Sequence, residues 1–209
     1  NPGNPNSALS GNKAVATQLE ALGVNVGWTN PAFNFTHAKS MLVDGNTAYV
    51  LTYNLTKAAT EDNREFAIVD RAMSDVEELK RIFLADAERK PYQPLDPDLV
   101  VSPNNARWRI LGIMEQAKKE LLVGVEVISD PEVVATLIEK RRAGVDVRVL
   151  VGGVKKVPAN LPAARALLAA GVPTRSQSRP YLHAKYVIAD GETAYLGSIN
   201  FSTNSLDEN

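Results

Sequence analysis

The spacing of apolar positions changes along the chain, and each change marks an element. Over 108–119 the apolar residues recur at helical spacing, which predicts an amphipathic helix with Ser102-Pro103 at its start. The run from Leu121 to Ile128 is almost continuously apolar and predicts a buried strand. Pro131 opens a helix to about 143, which Gly144 ends; 145–151 is a further strand, and a helix over 162–170 closes at Gly171. Upstream, a helix over 13–22 ends at Gly23, and 73–87 is amphipathic. Strands alternating with helices place the chain in the α/β class.

A shift of 146 residues lays one segment of the chain on another. His37-Ala38-Lys39, Asp44-Gly45 and Thr47-Ala48-Tyr49 fall on His183-Ala184-Lys185, Asp190-Gly191 and Thr193-Ala194-Tyr195. Thr52-Tyr53-Asn54 falls on Ser198-Ile199-Asn200, and Asn63 on Asn209. The chain therefore divides into a half over 1–90, a linker over 91–101 in a proline-rich stretch, and a half over 102–209. The first half is expected to lack its opening strand, helix and strand, and the second to stop before its closing Glu.

In each copy the segment after the His is strand-like, so the His and the Lys two positions on share a face. The Asp-Gly dipeptides predict tight hairpins whose second strands lead to Asn54 and Asn200. Each half thus supplies a His, a Lys and an Asn. Two imidazoles can divide the work of nucleophile and acid, and lysines and amides can hold the non-bridging oxygens of a phosphate. That chemistry requires no metal and no other cofactor. The chain contains two histidines, and both lie in the repeated motif. Asp44 and Asp190, an odd number of positions from the His and just before a Gly, read as structural turn residues. Thr52 and Ser198 read equally as phosphate contacts or turn hydroxyls. Trp28, Phe33 and Phe35, and Arg179-Pro180-Tyr181 before the second motif, read as core or as the rim of a substrate mouth.

Composition narrows the reading further. A net charge of -1 over 209 residues supplies no global field for nucleic acid, though a local basic cleft is compatible with it. Lys140-Arg141-Arg142, the densest basic run, reads as the solvated end of a helix. The absence of cysteine excludes thiolate metal sites and thiol nucleophiles. No apolar run is long enough to span a bilayer. The opening Asn1-Pro2-Gly3-Asn4-Pro5 shows no signal-peptide pattern, and no compartment is assigned.

The doubled H-x-K-x4-D pattern, followed by a G-S-x-N element, resembles the phospholipase D superfamily. The second copy matches at His183, Lys185, Asp190, Gly197, Ser198 and Asn200. The first matches at His37, Lys39, Asp44 and Asn54, with Leu51-Thr52 where the family has Gly-Ser. Asn63-Arg64-Glu65 matches the family's N-x-E element. The resemblance implies two similar α/β halves, each a mixed sheet flanked by helices, related by a pseudo-twofold axis. It also implies a monomer with one active site between the halves. It assigns His37 as nucleophile through a phosphohistidine, His183 as acid and base, and Glu65 as the group that orients an imidazole. Lys39 and Lys185 join the catalytic set; Asn54, Asn200, Ser198 and Thr52 are the phosphate contacts. The implied substrate is a phosphodiester, a phospholipid in the leading reading. A metal-independent nuclease and a degenerate phosphate-binding scaffold are the alternatives.

Overall fold

The structure, a computed structural model, describes residues 9–29, 36–95 and 98–208. Phe33, Phe35, Asn209 and the opening Asn1-Pro2-Gly3-Asn4-Pro5 lie outside the described residues. The chain is mixed α/β, with sheets flanked by helices.

The second half carries the fuller sheet. Its order is β10 (Thr193–Gly197), β9 (Lys185–Ala189), β5 (Glu120–Val125), β6 (Asp146–Gly152) and β7 (Thr174–Gln177). Strands β5, β6 and β7 run parallel, and β9 runs antiparallel to β5. Leu121, Val123 and Val125 alternate with Leu122 and Gly124, and point into a core shared with α4 (Ala106–Gln116) and α5 (Pro131–Arg142). Helix α5 shows why such helices start and stop where they do. The Asp130 carboxylate accepts from the Glu132 and Val133 N–H groups, Pro131 fits the first turn, and Lys140-Arg141-Arg142 sit at the negative end of the dipole. Gly144, at φ +91, lets the chain turn away.

The first half has α1 (Leu9–Ala21) and an antiparallel sheet ordered β1 (Ser40–Val43), β2 (Thr47–Leu51) and β4 (Ala67–Asp70). Helix α3 (Met73–Glu88) packs on β1 and β2. The hairpins of the two halves share one register: Met41 faces Tyr49 and Val187 faces Tyr195. Both turn at an Asp-Gly pair with positive φ at each residue, and an N–H to C=O bond spans the turn from Asn46 to Val43 and from Glu192 to Ala189. The segment after α3 is tied down, with the buried Glu78 carboxylate accepting from Leu95 N–H at 2.7 Å. Two short strands, β3 (Asn63–Arg64) and β8 (Tyr181–Leu182), pair in parallel and join the halves next to the second motif.

Some boundaries differ from those the pattern predicts. β1 and β9 begin at Ser40 and Lys185, so both histidines precede their strands rather than lying in them. β5 ends at Val125, three residues early, because Val127 turns to pair with Asn200 and Phe201 instead of a neighbouring strand. Among the described residues no helix is long and apolar enough to cross a membrane.

Asp190 ties its hairpin to the sheet. Its carboxylate accepts from the backbone N–H groups of Lys118, Lys119 and Glu120 at 2.7–2.9 Å. Those bonds hold its pKa down to about 2. A depressed carboxylate stabilises the fold fully above its unfolded value of about 4 and loses that contribution as pH falls through the folded value. Asp190→Ala is therefore expected to lower Tm at neutral pH, with the gap to wild type closing as pH drops from about 4 toward 2, measured by thermal melts across acid pH.

Candidate active site

The two histidines meet different partners, and each has one from the opposite half at Nδ1. His37 lies on the segment leading into β1, and its Nδ1 is 3.0 Å from the carbonyl oxygen of Ser198. A carbonyl can only accept, so Nδ1 carries the hydrogen and the lone pair of the neutral ring sits on Nε2. Burial, reinforced by the charges of Lys39 and Lys185, lowers the His37 pKa to about 4. The ring is therefore neutral at physiological pH.

His183 lies between β8 and β9. Its Nδ1 is 2.7 Å from Glu65 Oε1, and its Nε2 is 3.2 Å from Glu126 Oε2. Burial alone would raise both carboxyl pKa values. For Glu65, hydrogen bonds from His183, Thr52 and Asn63 outweigh it and hold the group below the usual range. For Glu126, Lys185 and His183 do the same, with Tyr181 assisting. Both ring nitrogens thus face carboxylate oxygens, which can only accept, so either nitrogen can hold a proton toward one of them. Lys185 Nζ also lies 3.2 Å from Nδ1. A lysine can only donate, so this contact is a hydrogen bond when Nδ1 carries no proton and a meeting of like charges when it does.

The lysines are buried charges. Lys185 is fully buried, and its Nζ donates to Glu126 Oε2 at 3.1 Å and to the His183 carbonyl. Burial lowers its pKa against the opposing pull of Glu126. Lys39 Nζ donates to the His37 carbonyl at 2.6 Å, and burial followed by repulsion from Lys185 lowers its pKa to about 8. Both lysines face inward, with Lys39 charged at neutral pH and ready for an anion.

The remaining sequence candidates divide. Thr52 is fully buried, and its hydroxyl donates to Glu65 Oε2 at 2.7 Å while accepting from Phe66 N–H at 2.9 Å. It therefore holds Glu65 rather than reaching a phosphate. Asn63 Nδ2 donates to the other Glu65 oxygen at 3.0 Å. Ser198 enters through its carbonyl on His37. Asn200 Oδ1 accepts from Val127 N–H at 3.1 Å, which turns its NH2 into the group that can face an anion. Asn54 is exposed and makes none of the hydrogen bonds that join the site among the described residues. Asp44 occupies its exposed turn at φ +52. Tyr181 donates to Glu126 Oε1 at 3.0 Å, and Lys156 stacks 3.7 Å over its ring.

Glu126 is the residue that sequence reasoning missed. The signal was present: one carboxylate closes an otherwise apolar strand run, and burying a charge is costly unless cations meet it. Beside His37 and Lys39 a cavity of about 950 Å³ opens between the halves, lined in part by Val50, Ile68, Leu79, Ile82 and Ile113. Among the described residues no group of three or more His, Asp or Glu side chains is arranged to hold a metal ion.

The sequence matches the family described as cardiolipin synthase, phospholipase D-like domain, over residues 2–87 and 110–209. It is 29% identical over 141 residues to a cardiolipin synthase of Halalkalibacterium halodurans, a match spanning 63% of this chain and 28% of that protein. Its fold is similar to that of polyphosphate kinase from Porphyromonas gingivalis, with a TM-score of 0.69 at 16% identity over 94% of this chain and 33% of the other. It is also similar to phosphatidylserine synthase from Haemophilus influenzae, with a TM-score of 0.53 at 11% identity over 77% and 53% of the two chains.

The buried Thr52 hydroxyl serves a carboxylate and an N–H at once. Thr52→Val is expected to cost about 1–3 kcal/mol by removing the hydroxyl from Glu65 Oε2 and from the Phe66 N–H, and Thr52→Ser to restore most of it. Denaturant unfolding of the three proteins measures the difference.

Proposed function

Because the chain belongs to the family of the cardiolipin synthase phospholipase D-like domain, we propose that it cleaves or transfers a phosphodiester through a phosphohistidine on His37. The observation that carries this reading is the unlike surroundings of the two imidazoles: one neutral against a carbonyl and beside two lysines, the other between two carboxylates. Those surroundings suit a nucleophile and a general acid.

His37 Nε2 attacks phosphorus. A P–N bond forms, the P–O bond to the leaving group breaks, and His183 Nε2 gives its proton to the departing oxygen. The Ser198 carbonyl on Nδ1–H stabilises the positive charge that grows on the attacking ring. Lys39, Lys185 and the Asn200 amide stabilise the phosphoryl oxygens. Neutral His183 then takes a proton from water or an alcohol, whose oxygen attacks phosphorus. The P–N bond breaks and His37 returns to its neutral form.

The preferred substrate is a phospholipid. The supporting feature is the largely apolar cavity beside His37, which suits acyl chains better than a polyanion. Phosphatidylglycerol vesicles and single-stranded oligonucleotide, tested side by side, separate this from nuclease action. Cleavage of the oligonucleotide with no release from lipid reverses the assignment.

With bis(p-nitrophenyl) phosphate, whose leaving group needs little acid assistance, His183→Ala is expected to accumulate phosphohistidine and His37→Ala to form none. Mass spectrometry of acid-free digests reads the adduct, and an adduct on His183 in His37→Ala would reverse the roles. In wild type, kcat/KM is expected to fall below about pH 4, where His37 gains a proton, and above about pH 8, where Lys39 loses its charge. A profile flat across either value would remove that residue from the chemistry.

A further inference from the structure

Glu126 is held more firmly than an incidental surface acid. Asn160, fully buried, donates to the Glu126 carbonyl at 2.8 Å and accepts from Ile128 N–H at 2.8 Å. Asn200 takes the Val127 N–H between them. Gly152 passes so close that a Cβ there would sit 2.6 Å from the Glu126 carbonyl oxygen. Three residues thus confine the backbone just past β5. The side chain is fixed at both oxygens: Oε1 by the Tyr181 hydroxyl, and Oε2 by Lys185 Nζ and His183 Nε2.

The two carboxylates on His183 are unequal. Glu65 is at 2.7 Å from Nδ1, Glu126 at 3.2 Å from Nε2. The longer contact is on the nitrogen that must release a proton. Among the described residues, Glu65 reaches the ring from just past β3, Glu126 from just past β5 and Lys185 from β9, and His37 and Lys39 stand across the site. Two carboxylates and two lysines thus surround the ring, and Glu126 is the carboxylate on the Nε2 side, whose negative charge favours a proton there.

We propose that Glu126 is a positioning residue that keeps His183 protonated between turnovers and aims its Nε2–H into the site. This rests on the phosphodiesterase reading for its catalytic consequence, though its geometry stands without it. When substrate arrives, the leaving oxygen shares the Nε2–H with Glu126 and then takes the proton. Once the ring is neutral, Glu126 favours the return of a proton from the attacking water. A carboxylate tied at both oxygens does this without moving.

The test reads the ring directly. The chain has two histidines, so ring-nitrogen NMR yields two sets of signals, which His37→Gln assigns. At about pH 7.5, where an ordinary imidazole is mostly neutral, wild-type His183 is expected to show two protonated nitrogens and His37 one. In Glu126→Gln the His183 signals are expected to change at lower pH than in wild type, because a negative charge beside Nε2 is removed. Tyr181→Phe, which loosens one oxygen, is expected to shift it less and in the same direction. With bis(p-nitrophenyl) phosphate, Glu126→Gln is expected to lower kcat about tenfold or more without raising KM. Lys39 shapes the alkaline side of the rate profile, so the ring signal decides.

A neutral His183 in wild type at that pH overturns the proposal, and needs no variant to fold. Unchanged ring signals in Glu126→Gln, or a raised kcat, overturn it as well; the latter would make the carboxylate an obstacle in the phosphate seat. The expected ring signals in a wild type that turns over no phosphodiester would uphold the proton-holding role and remove the proposed function instead.

Discussion

The 2.7 Å contact between Glu65 and His183 joins a carboxylate of one half to an imidazole of the other, and much of the site depends on it. Glu65 remains ionised beneath the surface only because Thr52, Asn63 and His183 all donate to it. Thr52 lies just past β2, Asn63 on β3, and His183 just past β8. The parallel pairing of β3 with β8 brings those segments into line. The reverse connection, from Ser198 beyond β10 to His37, fixes the other imidazole. Each half thus carries a histidine that a group of the other half touches at Nδ1.

The repeat is symmetric in sequence, but the site is not. Both hairpins have one register and both motifs have the same His, Lys and Asp. The difference lies in what each ring meets. A neutral carbonyl and two lysines leave His37 uncharged, whereas two carboxylates flank His183. Residues that match along the chain thus meet opposite charge, and unlike surroundings of this kind are how one residue type can serve as both base and acid.

Much of this was legible beforehand, and the failures have physical reasons. The elements of the second half follow from apolar period and capping residues, because α5 and β6 obey local rules strictly. The pairing of His with Lys followed from the repeat. The start of β1 after its histidine did not, because the register of Lys39 with Leu51 is set by a single bond from Leu51 N–H to the Lys39 carbonyl. The role of Thr52 was not legible either. A hydroxyl two positions before Asn54 serves a phosphate or a carboxylate equally well until the fold puts Glu65 beside it. Glu126 was hidden for a related reason: its partners come from β8, β9 and the residues between them, far along the chain, and an apolar run around a charge signals burial without naming the cation.

The electrostatics also indicate how substrate and fold interact. Lys39 and Lys185 are buried close enough for each to oppose the other's charge, and burial adds to the cost. Half-buried Lys39 is held at about 8 rather than 10.5, with the pull of Glu126 and Glu65 too weak to offset burial and Lys185. Under the proposed function, the negative charge of a phosphodiester beside Lys39 favours its charged form, and by linkage binding above about pH 8 takes up a proton. An anion would thus offset the repulsion that the two lysines leave in the site.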